Sequence, residues 1–153
     1  MKAYRAENIA TWFILKFAES GDVVTHLKIQ KLLYYAEAWC QVINNSELFV
    51  EKIEAWAHGP VVPEVFHLYK KHGWNPLPIP KDKKHPKLSP KTKKILNQVI
   101  ESYGELPAKT LENMTHNDEP WINARKGLEP EERCEVVIPK ADIKSFFKKK
   151  YRM

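Results

Sequence analysis

The side chains best suited to chemistry are six histidines, two cysteines and a dense run of lysines. His26, His58, His67, His72, His85 and His116 contain no HExxH pair and no paired spacing that would place two imidazoles on one metal. The tightest acid-base grouping is His116 with Asp118 and Glu119, in a loop that turns at Pro120. An imidazole beside carboxylates is the chemistry of a metal site or of a general acid-base pair. Thr115, Asn117 and Asp118 are also residues that build turns by bonding their own backbone. A polar turn anchored by a buried Trp121 is therefore the preferred reading, and hydrolysis through His116 the lesser one. Cys40 and Cys134 are far apart and form no CxxC pair. This argues against a disulfide framework or a zinc finger and for two inert, buried thiols in a reducing compartment. Gly21, Gly59, Gly73, Gly104 and Gly127 are all isolated, so no Gly-rich phosphate loop exists. No catalytic residue, metal or cofactor is assigned.

Charge is distributed unevenly. The net charge is +6, yet residues 1–75 carry equal numbers of basic and acidic side chains, so the excess lies beyond them. Lys81 to Lys94 holds seven lysines against one aspartate, Glu101 to Glu135 is net acidic, and Lys140 to Arg152 is net basic. The first of these runs, with Lys83, Lys84, Lys87 and Lys91, is a candidate electrostatic contact for an acidic protein or a polyanion. It has no interleaved aromatic residue, so it lacks the stacking platform of single-strand binders. A solvated surface is its ordinary state. No run approaches the ~20 apolar residues that cross a bilayer, and the first residues lack a signal-peptide pattern, so a cytoplasmic protein without a membrane partner is expected.

The elements that must position these residues are mostly helical. Apolar residues surround the wheel from Ile9 to Ala18, which predicts a helix buried on most sides and stopped near Gly21. Thr25 is placed to cap a second helix reaching about Asn44. Its inward residues are Ile29, Leu32, Leu33, Ala36, Cys40 and Ile43, and Tyr35 and Trp39 widen the arc, as expected of a central bundle helix. Tyr34 falls on the polar side of that wheel, beside Gln30 and Glu37, where its ring would meet a partner. Leu48 to Trp56 predicts one or two short strands, Pro63 starts a third helix, and Ser89-Pro90 caps a fourth that runs to Gly104. Residues 76–88 form a Pro/Lys-rich surface connection. Pro107 to Met114 predicts a shorter helix, residues 115–133 a loop with about one helical turn, Cys134 to Pro139 a strand and Lys140 to Tyr151 a helix. The expected fold is mainly α: a compact single-domain helical bundle, 1–153, with a small β element.

The segment AWAHGPVVPEVF, Ala55 to Phe66, is the most restricted stretch of backbone. Pro60 fixes its own φ and drives Gly59 out of the α region, so the chain must turn sharply there. A rigid strand-to-helix junction is the preferred explanation, with presentation of Trp56 and His58 to a ligand as its alternative.

Three segments in order carry a resemblance: KIQKLLYYAEAW (Lys28 to Trp39), EAWAHGPVVPEVF (Glu54 to Phe66) and THNDEPW (Thr115 to Trp121). Together they resemble the hallmarks of the Panacea domain, the SocA-like antitoxin family also known as phage-associated GepA-like proteins. The resemblance extends from about Ile9 to Phe147. It implies a mainly helical bacterial, prophage or mobile-element protein that neutralises a toxin encoded beside it by direct contact, or in one known variation presents that toxin to a protease. The matching positions are Lys28, Gln30, Lys31, Tyr34, Tyr35, Trp39, Trp56, His58, Gly59, Pro60, Val61, Thr115, His116, Pro120 and Trp121, expected to be structural or partner-binding. Some family members carry a helix-turn-helix fusion, for which the early first helix here leaves no room. A nucleic-acid-binding regulator that uses the basic second half is the alternative function.

Overall fold

The computed structural model describes residues 3–80 and 84–152. Helix α1 spans Ala6–Glu19 and α2 His26–Asn44; strand β1 is Ile53–Trp56 and β2 Gly59–Val61. Helix α3, Pro63–Tyr69, runs into a 3₁₀ turn at Lys70–His72. Helices α4 (Pro90–Tyr103), α5 (Ala108–Thr115) and α6 (Glu119–Arg125) precede strand β3 (Val137–Ile138) and helix α7 (Lys140–Lys150). The fold is mainly α with a small antiparallel sheet in the order β2-β1-β3.

Local chemistry fixes the helix starts. Thr25 accepts from the Lys28 N–H at 3.3 Å to cap α2, and Ser89 accepts from the Thr92 N–H at 3.2 Å with Pro90 behind it in α4. Helix α1 has no side-chain cap of its own. Glu51, far along the sequence, supplies one by accepting from the Ala6 N–H at 2.8 Å. Pro63 occupies the first turn of α3.

Helix α2 runs through the middle, packed on α1, α3, α4, α5, α7 and β2. Its residues from Ile29 to Ala38 are all buried, including Gln30, Lys31, Tyr34 and Glu37. The core is continuous from Ile9 and Phe13 through Leu33, Phe49 and Leu96 to Ile143 and Phe147. Phe147 of α7 meets Tyr34, Tyr35 and Trp39 edge-on at 5.7–6.1 Å, and Tyr35 stacks on Tyr103 of α4 at 3.9 Å. Truncating a core aromatic of this kind costs about 3–5 kcal/mol.

Four local expectations are corrected. Tyr34 is fully buried rather than on a polar side, because α7 and the 115–121 segment cover the face that the wheel leaves polar. Ile43, expected inward, is 47% exposed at the end of α2. The Gly-Pro segment is not a direct strand-to-helix junction: Ala57 and His58 form a hairpin turn, Gly59 pairs with Trp56 and Pro60 with Ala55, and the helix begins only after Val62. Residues 119–125 form a full helix, α6, rather than one turn within a loop.

The described residues of the 76–88 connection lie largely at the surface, with Leu77 and Leu88 buried. Leu77 bonds the Val24 carbonyl at 2.8 Å, and His85 reaches Glu19 at 2.8 Å. No described helix is long and apolar enough to cross a membrane.

A buried polar hub as candidate functional site

The three sequence segments converge where α2, the β1-β2 hairpin and the α5-α6 corner meet. Gln30 reads the backbone of Val62: its Oε1 accepts from the Val62 N–H at 2.7 Å and its Nε2 donates to the Val62 carbonyl at 3.5 Å. The next residue of α2, Lys31, runs beneath the hairpin. A Cβ on Gly59 would lie 3.0 Å from Lys31 Cε and 2.8 Å from Thr115 Oγ1. Gly59 also has φ +110°, a conformation that L side chains rarely adopt. Glycine is thus required twice, for its backbone and for the space that a lysine and a threonine fill.

The α5-α6 corner is tied to the hairpin in layers. Trp121 Nε1 donates to the Trp56 carbonyl at 2.8 Å, and His116 stacks on the Trp121 ring at 4.2 Å. On Trp121 also lies the Arg125 guanidinium, 4.7 Å from the ring centroid. Arg125 donates to the Ala55 carbonyl at 3.0 Å and to the carbonyls of Glu129, Pro130 and Glu132. Asp118, at the start of α6, turns its carboxylate inward to accept from the Tyr34 hydroxyl at 2.9 Å, with Lys150 3.7 Å away. Pro120 is buried in the first turn of α6, and Thr115 donates to the Glu112 carbonyl at 2.8 Å.

The electrostatics follow from burial. Burial lowers the Lys31 ammonium to about 8, with Glu112 partly opposing, and Lys31 Nζ has no hydrogen-bond partner among the described residues. His116 is also lowered by burial, which the charge of Glu112 and a hydrogen bond to the Ala57 backbone resist; its Nε2 has no partner among the described residues. Asp118 is raised by burial against the pull of Tyr34 and Lys150, and Tyr34 is raised well above the usual phenol by burial and by Asp118. At the rim, His58 stands exposed at the hairpin tip with Nδ1 3.1 Å from Glu112, which also meets Lys109 at 2.6 Å. Burial would raise Glu112, but these two neighbours outweigh it and hold it low.

The His116, Asp118 and Glu119 grouping is not assembled. Asp118 faces Tyr34, His116 faces Trp121 and Glu119 is exposed, and no cluster of metal-binding side chains occurs among the described residues. The other family-pattern residues line the same interior. Trp39 donates to the Tyr103 hydroxyl at 3.0 Å, Trp56 packs edge-on against Phe66 at 4.8 Å, and Pro60 and Val61 are buried in β2. Lys28 is half-buried, its ammonium 5.4 Å from the Phe17 ring and bonded to the Gly104 carbonyl. Of the lysines proposed for electrostatic contact, Lys84, Lys87 and Lys91 are exposed, and Lys83 lies outside the described residues.

Two residues of this interior escape a reading by hydrophobic pattern. Glu37 is completely buried, accepts from the Leu48 and Phe49 N–H groups at 3.0 and 3.2 Å, and lies 3.1 Å from Lys140. Burial raises its carboxyl while Lys140 and the two N–H groups pull it down. Arg125 is the other. The signal that could have found Glu37 is a lone acid on an otherwise apolar α2; Pro120 two residues after Asp118 is the helix-start signal for α6.

Comparison with known families gives one finding: a family model described as antitoxin SocA-like, Panacea domain, matches residues 29–122. That match spans more than half of the chain and includes nearly all of the three segments that build the hub. No curated protein and no solved structure matches the chain.

Proposed function

We propose, for a chain that belongs to the SocA-like antitoxin family with a Panacea domain, that it binds one cognate toxin and blocks it by direct contact, without catalysis. The family match carries this reading. The site is compatible with it: Asp118 is turned onto the Tyr34 hydroxyl and His116 onto the Trp121 ring, in the packing that joins α2, the hairpin and α6. The shared residues then form the scaffold, and the toxin is selected by variable surface outside it. A standard interface would need about 800 Å² from this protein, with a few anchors supplying most of the affinity. The reading places the protein in the bacterial cytoplasm, where buried free thiols at Cys40 and Cys134 are stable.

The test is growth of cells that express the neighbouring reading frame with and without this protein, followed by co-purification of the pair. Rescue with a stable complex supports blocking. Rescue with a shortened toxin lifetime, abolished in protease-deficient cells, identifies delivery to a protease. Rescue without any complex, together with salt-sensitive operator binding, would replace the reading with nucleic-acid regulation.

A further inference from the structure

We infer that the groove between the C-terminal ends of α1 and α4 is the toxin-docking face, and that it takes a basic, amphipathic helix; this rests on the antitoxin reading. The groove encloses about 940 Å³. Its apolar surface comes from Phe17, Ile100 and Val23, the last 62% exposed. That combination suits the apolar anchors of a helix laid into a groove.

The charge of this groove runs against that of the whole chain. The protein is +6 overall, but Asp22, Glu101 and Glu105 line the groove; none is in a close ion pair with a described residue, and only Asp22 acts on a groove lysine, Lys28. Its two lysines are already engaged: Lys28 with the Gly104 carbonyl, and Lys16 with Glu19 at 4.0 Å. Glu19 is further neutralised by His85 at 2.8 Å when that imidazole is protonated. Both α1 and α4 also end here, at Glu19 and Tyr103, each after fourteen residues; Lys28 already occupies the α4 end at the Gly104 carbonyl, which leaves the negative end of the α1 dipole toward the groove. An excess of carboxylates over lysines, with Glu101 and Glu105 paired to no described residue and the α1 C-terminus beside them, around an apolar floor is complementary to lysine or arginine flanking an apolar stripe.

Two arms test this on the full chain. The first titrates isotope-labelled protein with a synthetic amphipathic helix of about 15 residues carrying a leucine stripe flanked by arginine, and with its glutamate counterpart. Amide shifts confined to residues 16–28 and 97–105 with the arginine peptide alone are expected; shifts elsewhere, or with both peptides, overturn the groove. The second arm measures capture of the neighbouring frame's product by wild type, by D22K/E101K/E105K, and by E64K/E131K/E135K, which makes the same charge change at exposed sites outside the groove. Loss of about tenfold or more in affinity for the groove variant alone is expected, with its thermal midpoint kept. Equal capture by all three leaves the antitoxin reading standing and removes the groove. Failure of wild type to capture or rescue removes the antitoxin reading, while the peptide arm still decides the groove. Concentration-dependent dimerisation that the groove variant abolishes would assign the face to a second copy and overturn the inference.

Discussion

The hub and the α1-α4 groove are built from similar side chains put to opposite uses. In the hub, Gln30, Tyr34, Asp118, Trp121 and Arg125 are turned toward one another and toward backbone carbonyls, which leaves little for an outside partner. In the groove, Asp22, Glu101 and Glu105 are exposed and form no close ion pair among the described residues, with Lys16 and Lys28 bonded to other groups nearby. A buried polar network is costly unless satisfied and, once satisfied, fixes a single packing. An exposed carboxylate costs little and can be exchanged freely. On the proposed reading the hub is the scaffold of this chain and the groove the surface that can change without unfolding it.

The hardest test of that division is Gly59→Val. It adds strain at φ +110° and drives a side chain into Thr115 and Lys31, so a loss of about 4 kcal/mol or more, or failure to fold, is expected. Full thermal stability in this variant would show that the hub is not the scaffold. Arg125→Ala comes next, because it leaves the carbonyls of Ala55, Glu129, Pro130 and Glu132 without their donor and should cost about 2–3 kcal/mol. Amide exchange should rise around residues 129–133 before global unfolding; unchanged protection there would count against the clamp.

Lys31→Met sharpens the comparison through pH. The folded ammonium titrates at about 8, below the usual lysine, so between about 8 and 10.5 the unfolded chain binds more protons and wild-type stability from this group rises with pH. The variant should therefore be at least as stable as wild type at pH 7, and the gap should close by pH 10. Denaturant midpoints across that range would check it; a constant or widening gap would mean that Lys31 is charged and paired in solution. The smallest effect is expected for K84E/K87E/K91E, all exposed, with a thermal midpoint within a degree or two of wild type.

How much of this was legible depends on where each residue's partner lies. The caps at Thr25 and Ser89 and the proline starts of α3 and α4 were readable because cap and helix are neighbours in sequence. So was the central position of α2, from the breadth of its apolar arc. Tyr34 was misplaced because its partner, Asp118, is 84 residues away, and a wheel treats every polar side chain as facing water. Helix α6 was passed over although Asp118 and Pro120 carry a helix-start signal, because Thr115, Asn117 and Asp118 read equally well as a turn; in the fold Asp118 spends its carboxylate on Tyr34 and makes no side-chain cap. The β1-β3 pairing joins segments separated by more than half of the described chain, and local pattern carries no information about it.

The Glu37-Lys140 pair also bears on the genetics of the reading frame. A carboxylate in the second helix is completed by an ammonium at the start of the seventh, whose Phe147 closes the core over that same second helix. A stop codon or frameshift just before Lys140 would still yield nine-tenths of the polypeptide, but with a buried charge uncompensated and the central helix uncovered. Late truncations should therefore behave as null alleles through loss of the fold, while missense changes in the groove should leave a folded protein that binds its partner less tightly.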